Sequence, residues 1–384
     1  MSSTDITAAR LPWDAADPYP FYETRRRDGD VVWDDTAGGW LVLGYDAARA
    51  VLGGPDWTSD PLANPVARAS MSMLGPEFTR ASMLFADGAN HERLRGAVRD
   101  VFTRGAISAL TTGVQAIASE VIAGPRPGEA FEFMSQIALP LPIAVVGEWL
   151  DLDPAHAASL RELSPAIIRM LGTLADTAEV ADGFGAAAAL MADFLPVAAD
   201  RRNHPGDDLL SFLATDPELG LDDVVVTAIL IAVAGHETTA NLLGAGLIRL
   251  LTEGVHTVDQ AVLTELLRLD APVQSTVRTA TADQRIGDTQ IAAGESVVVV
   301  VAAANRDPAV FAEPSRFRPG RTGPAPLSFG YGAHYCLGSA LARLELDIAL
   351  TEILARQPVI TGEVTWRDTP AIRGPQTVPA VFGK

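Results

Sequence analysis

The sequence predicts a mainly α-helical fold with a small β region, an α+β class, and three observations carry the prediction. Apolar residues recur at intervals of three and four from about residue 90 to residue 269, which is helical periodicity. Beyond Pro272 the residues become β-branched and are bounded by turn formers, as in short strands. No repeat, low-complexity tract or composition break interrupts the interleaving, so residues 1–384 are expected to form a single domain.

The elements follow in order. Asp30-Val31-Val32-Trp33 and Gly39-Trp40-Leu41-Val42-Leu43 flank the turn-like Asp35-Thr36-Ala37-Gly38, which predicts a hairpin. Gly124-Pro125-Arg126-Pro127-Gly128 and His204-Pro205-Gly206 punctuate the helical middle, because Pro lacks a backbone donor and Gly is entropically costly. A strongly apolar helix should start near Asp222; its run from Val224 to Gly235 reads as a buried helix too short to span a bilayer. Thr276–Thr281 and Glu295–Val301 predict strands, and residues 314–326 a loop rich in Pro, Gly and Arg. Helical periodicity returns from Leu337 to about Arg356, and a last strand is expected in Val378–Phe382.

Charge and cysteine content bound the function. A net charge of −19 disfavours nucleic acid and anionic membranes as partners, and an acidic protein partner would need a local basic patch. The single cysteine rules out an internal disulfide. The opening residues carry neither a basic cap nor an apolar run, so no signal peptide, no membrane anchor and a cytoplasmic location are expected.

Chemistry concentrates in Phe329-Gly330-Tyr331-Gly332-Ala333-His334-Tyr335-Cys336-Leu337-Gly338. Three glycines would weaken a helix or strand there, but suit backbone passing close to something flat and large. The helix expected just after Cys336 would put its sulfur near a helix N-terminus, where free N–H groups and the dipole favour a thiolate. A lone cysteine is otherwise a small buried hydrophobe. A thiolate shielded by Phe329 is what a haem iron needs as a strong axial donor.

This segment resembles the haem-binding signature of the cytochromes P-450, Phe-Gly-x-Gly-x-(Arg/His)-x-Cys-x-Gly. The resemblance implies the cytochrome P-450 fold, haem b as cofactor and Cys336 as iron ligand, with Phe329 and Gly338 beside it and His334 at a haem propionate. Ala234-Gly235-His236-Glu237-Thr238-Thr239 interrupts an apolar helix: Gly235 costs about 1 kcal/mol there relative to Ala, and Thr238 can bond the Ala234 carbonyl. It is similar to the family's distal helix, which places Ala234 beside the haem and gives Glu237 and Thr238 the delivery of protons to bound dioxygen. Glu265 and Arg268 lie three apart on one helix face. The resemblance makes them a structural ion network with Arg316. His91 and Arg95 stand one turn apart and can reach one anion; by resemblance they and Arg278 bind propionates. Asn305-Arg306-Asp307-Pro308 also sits where the family carries it. The departures are a short connection from Leu251 to Val262 and a His334 where many relatives have Arg.

The activity implied is monooxygenation: dioxygen is activated and a lipophilic small molecule hydroxylated or epoxidised. The chain carries no flavin or iron–sulfur motif, so electrons would come from a ferredoxin and its reductase, with Arg93, Arg99, Arg104 and Arg343 as a basic dock. A monomer is expected. Leu230, Val233 and Ala234 share a helix face and, with Gln274, are expected to line the substrate pocket; Met71, Met73 and Leu74 are weaker candidates. An apolar pocket with one amide suits a lipophilic molecule carrying a polar handle. Three other readings stay open: a peroxide-driven or coupling enzyme of the same fold, a haem protein that binds gas or carries electrons, and a cysteine hydrolase using Cys336 and His334. Substrate-dependent NAD(P)H consumption with redox partners separates the monooxygenase from a haem protein without turnover, and absence of haem would favour the hydrolase.

Overall fold

The computed structural model of the chain describes residues 11–71, 80–172 and 177–383. Its principal helices are α1 (Tyr45–Gly53), α2 (Gly88–Arg99), α3 (Pro140–Trp149), α4 (Pro154–Gly172), α5 (Thr177–Asn203), α6 (Leu221–Thr252), α7 (Gln260–Asp270) and α8 (Ser339–Ala355). Thr111–Ala123 forms a further helix of 13 residues, and the rest among the described residues are helices of 8 residues or fewer.

Helix α6 is the axis of the fold. Asp222 and Asp223 sit in its first turn, against the positive end of the helix dipole, and Asp223 accepts the Gly220 N–H at 3.1 Å. Apolar residues surround it on most sides, so it must be buried, and it packs on α3, α4, α5 and α8. Its first half, Val224 to Val233, enters one core cluster with Val98, Val146, Leu160, Leu190 and Phe194. Its second half, Leu242 to Leu250, enters another with Leu141, Leu263, Leu266, Leu346 and Leu350. The polar stretch His236–Asn241 therefore falls at the seam between two apolar cores.

The expectation that this helix is too short to span a bilayer is corrected. It runs on to Thr252 and, like residues 178–203, is long and apolar enough to cross a membrane by composition; 67% of its apolar window is buried within the protein. It ends near Gly254 (φ 66°), and α7 begins at Gln260 with the Asp259 carboxylate capping the Val262 N–H. The short connection is thus a turn, with no further helix among the described residues.

The predicted hairpin forms from β1 (Val31–Asp34) and β2 (Gly39–Val42), with Val32 opposite Leu41. They join β3 (Trp57–Thr58), β5 (Thr276–Ala280) and β8 (Ser296–Val299) in a five-stranded sheet, order β1-β2-β8-β5-β3. Strand β8 is parallel to β2 and antiparallel to β5. Between β5 and β8 lies a hairpin of β6 (Gln284–Ile286) and β7 (Thr289–Ile291), too polar to be read from the sequence. A smaller sheet pairs β4 (Ala130–Glu132) and β9 (Pro358–Ile360) with β12 (Pro379–Phe382). The last ladder joins β10 (Thr365–Trp366) to β11 (Pro375–Thr377). A π-helical stretch, Met134–Ala138, leads into α3, and the Leu139 N–H reaches back to the Met134 carbonyl at 2.9 Å.

Candidate active site

The loop carrying Cys336 is shaped by its own backbone. The Gly330 N–H bonds the Leu327 carbonyl and the Cys336 N–H bonds the Phe329 carbonyl, both at 2.8 Å. Gly330 (φ 74°) and Gly332 (φ 76°) take left-handed conformations that L side chains resist. A Cβ on Gly332 would also lie 2.7 Å from the Leu52 carbonyl oxygen, so this glycine lets the loop pass α1 and does not face a flat ligand. Gly338 alone has open space where its Cβ would point. Phe329 is flanked by Tyr335, ring centres 6.3 Å apart, and by the Arg343 guanidinium at 5.5 Å.

Burial raises the Cys336 thiol, against the Gly338 N–H and the charge of Arg95, which pull the other way. In the fold as described, burial outweighs the helix N-terminus and favours the protonated thiol.

Around this loop lies a set of donors without matching acceptors. His91 is 4% exposed, and its Nε2 has no hydrogen-bond partner among the described residues. Burial, with the nearby His334 and Arg95, lowers it to about 4, so it is neutral. Its ring lies 4.2 Å from that of His334. Among the described residues Arg278 bonds the Thr276 hydroxyl and the Val277 carbonyl alone, and burial lowers its pKa. Arg95 donates to the Tyr335 carbonyl at 2.6 Å. Neither arginine has a carboxylate partner among the described residues, although each can hold one bidentately. His334 differs from expectation: its Nε2 meets Asp87 Oδ1 at 3.0 Å. Burial would raise Asp87, but His334, the Thr58 hydroxyl and the Ser59 N–H outweigh it and lower it to about 2. Asp87 had no signal in the sequence.

Helix α6 opens to a cleft along one stripe. Ala234 is exposed and Leu230, Ile231, Gly235 and Thr238 partly so, while Ile229, Val233, Glu237 and Thr239 are buried. The Thr238 hydroxyl donates to the Ala234 carbonyl at 2.6 Å, as expected. Glu237 is 1% exposed and accepts from Arg367 Nη1 at 2.7 Å, a partner 130 residues away that the sequence did not reveal. Two pocket expectations fail. Val233 is 2% exposed and packs into the core, one residue's rotation from the open stripe. Gln274 is fully buried: its Oε1 accepts from the Tyr22 hydroxyl and its Nε2 donates to the Ala271 carbonyl, so its amide is consumed inside the fold. Met71 ends a short helix, Pro65–Met71; Met73 and Leu74 lie outside the described residues.

The ion network forms with one substitution of partner. Arg268, 2% exposed, pairs with Glu265 at 2.7 and 2.8 Å and donates to the carbonyls of Asn305, Pro314 and Arg316. The third charge is Arg321, whose Nε meets Glu265 Oε1 at 2.8 Å, and not Arg316. Arg316 turns its backbone carbonyl inward to Arg268 and Arg321, which sends its side chain out to Glu313 at 2.6 Å. The Asn305 amide accepts from the Leu327 N–H and donates to Ser328, tying this network to the start of the cysteine loop.

Comparison with known proteins places the chain. A sequence model of the family described as cytochrome P450, hereafter P-450, matches residues 257–365. The chain is 34% identical to the cytochrome P-450 monooxygenase PikC of Streptomyces venezuelae, over 95% of this chain and 91% of that protein. It is 33% identical to 6-deoxyerythronolide B hydroxylase of Saccharopolyspora erythraea, over 88% and 89% of the two chains. Ligand-free CYP164A2 of Mycobacterium smegmatis superposes with a TM-score of 0.85 at 30% identity, covering 95% of this chain and 96% of that one. The P-450 BioI complex with a carrier protein bearing hexadec-9Z-enoic acid superposes with a TM-score of 0.87 at 28% identity, covering 95% and 98%. The chain belongs to the cytochrome P-450 family, whose monooxygenases are oxidoreductases.

The family is haem-thiolate, and the residues here fit that group. The orphaned His91 nitrogen and the unneutralised Arg95 and Arg278 await two carboxylates, the open space at Gly338 admits a flat ring, and Cys336 is the one thiol.

Proposed function

We propose that this chain is a soluble, cytoplasmic, monomeric monooxygenase in one haem domain spanning residues 1–384. It holds haem b through Cys336, with His91, Arg95 and Arg278 on the propionates. It hydroxylates or epoxidises a lipophilic small molecule with electrons from a ferredoxin and ferredoxin reductase. The observation that carries the reading is a partly exposed hydroxyl, Thr238, next to a buried acid, Glu237, on helix α6, which packs on the helix that follows Cys336.

The bound haem supplies the activation of dioxygen. The chain supplies the rest. Thr238 spends its own proton on the Ala234 carbonyl, which leaves its oxygen free to accept from a donor and to hold a proton beside the cleft. Glu237 is the nearest group in sequence able to replenish that proton. Leu230 and Ala234 offer an apolar wall and exclude water from it. With Gln274 consumed in the core, the pocket loses the amide expected there, and a wholly apolar contact face remains on this side. A relative named 6-deoxyerythronolide B hydroxylase, and a solved neighbour in complex with a carrier protein ligated to hexadec-9Z-enoic acid, support a large lipophilic substrate.

The electron donor would dock on the face of the cysteine loop. Arg93 is committed to Asp223 and Arg343 leans on Phe329, which leaves Arg99 and Arg104 exposed. In the cysteine loop itself Tyr331 and Tyr335 stand 39% and 43% exposed, with Arg49 bonded to the Tyr331 hydroxyl at 2.8 Å. An acidic ferredoxin is complementary to this patch.

The test is the absorption spectrum of reduced protein under carbon monoxide, for wild type and Cys336→Ala. A red-shifted Soret band lost in the mutant is expected. A band unchanged by the substitution, or no haem at all, would overturn the reading.

A further inference from the structure

Two devices that spread helical backbone meet beside α6: the π-helical stretch Met134–Ala138 and a proline, Pro165, inside α4. Where they meet lies a cavity of about 200 Å³ whose apolar walls are Leu139, Pro140 and Pro165. None of the cleft residues Leu230, Ala234 or Thr238 borders it, so it lies on another side of α6 from the open stripe. Its mouth carries Arg161, which is exposed and has no hydrogen bond or ion pair among the described residues. Its inner wall is His236, 1% exposed, with neither ring nitrogen hydrogen-bonded among the described residues. The Leu139 carbonyl lies near enough to favour the charged ring, yet no hydrogen bond closes between them. Arg367 gives Nη1 to Glu237 at 2.7 Å, and its other nitrogens bond nothing among the described residues.

We propose that this cavity binds a small carboxylate with an apolar body, held by Arg161 at the mouth and by His236 and the unused nitrogens of Arg367 within. The charge count selects a monoanion. Arg367 and Glu237 cancel as an ion pair, which leaves Arg161 as one unspent positive charge in a chain of net charge −19. A doubly charged phosphate would meet the Glu237 carboxylate with only that one charge to balance it. Burial keeps the His236 ring below its ordinary range; Glu237 opposes this, and Arg367 and Arg161 add to it. The ring is therefore neutral and has one N–H to donate. A planar carboxylate matches the fork of a guanidinium, and the apolar walls suit a hydrocarbon body. The volume is below the roughly 300 Å³ at which pockets for drug-sized ligands begin, so the occupant is of the size of a simple aromatic or short-chain acid. Water alone would satisfy His236, but it would neither neutralise Arg161 nor cover the walls. The site depends neither on proton delivery by Glu237 nor on the identity of the substrate.

The experiment titrates benzoate into the haem-loaded protein by calorimetry, with the Soret band of the ferric protein followed in parallel. Saturable binding at a single site is expected. Arg161→Gln, a change on an exposed side chain that leaves the fold intact, should weaken it about fivefold or more, while Arg161→Lys should stay within about twofold of wild type. His236→Leu, which removes the buried donor, should weaken it about tenfold. The Soret band should not move at saturation, because the cavity borders none of the cleft residues. No saturable uptake would leave a merely hydrated cavity and overturn the site. An affinity that either Arg161→Gln or His236→Leu leaves unchanged would do the same, as would a Soret shift that tracks occupancy, which would put the benzoate in the cleft.

Discussion

His91 shows how one residue links stability to pH. In the fold it is neutral and titrates near 4; the unfolded chain titrates near 6.5 and so binds the extra proton first. Stability present above pH 6.5 is therefore lost as pH falls through the window from 6.5 to 4, by up to about 3 kcal/mol. Urea midpoints of the haem-free protein should fall across that window, and His91→Gln should flatten the curve. Propionates beside His91 would favour its charged form and raise its pKa in the fold, so the window should narrow and the loss should be smaller in the haem-loaded protein. The arginines offer a sharper contrast. Arg321→Ala removes one partner of the buried Glu265 and should cost about 3 kcal/mol, whereas Arg316→Ala, on a side chain 75% exposed, should leave stability nearly unchanged. Equal effects in thermal unfolding would return the network to Arg316.

At the scale of elements, the cysteine loop is pinned from both ends. Asn305 and the buried ion network hold its start, and its middle presses on α1 at Leu52 and Gly53. Gly332→Ala forces a Cβ into the Leu52 carbonyl at a left-handed backbone position, so it should destabilise by about 1–3 kcal/mol and impair haem retention. Gly338→Ala meets nothing in the protein, so the haem-free fold should melt unchanged while haem uptake weakens. Melting temperatures with and without added haemin distinguish the two glycines. Helix α6 has the opposite construction. Its two ends are locked into separate apolar cores, and the polar segment to which proton delivery is proposed sits between them, where small movements of Glu237 or Thr238 cost no apolar contact.

For the whole molecule, a chain of net charge −19 must collect its positive charge locally to receive an acidic partner. The exposed Arg99 and Arg104 are the groups left for that purpose once Arg93 and Arg343 are spent internally. Arg99→Glu with Arg104→Glu should slow reduction by ferredoxin about tenfold or more at low salt, and the difference should shrink as salt rises. Stopped-flow reduction rates measured against ionic strength check it. A rate indifferent to both charge and salt would move the dock elsewhere.

What the sequence determined by itself was local. Helical period, the hairpin, the strands β5 and β8, the start of α6 and the Thr238–Ala234 bond depend on residues a few positions apart, and those rules act wherever the chain lies. The cysteine motif was legible for the same reason, since ten consecutive residues carry it. Tertiary structure alone decided which distant side chains completed the site. Arg367 reaches Glu237 across 130 residues and Arg321 reaches Glu265 across 56, and Asp87 captures His334 from a different element. Val233 and Gln274 went the other way, into the core, because a small rotation about α6 and one internal hydrogen bond settle whether a side chain meets a cleft or its neighbours. Packing fixes such rotations and loop paths through the sum of many non-local contacts, and no short window of sequence contains that sum.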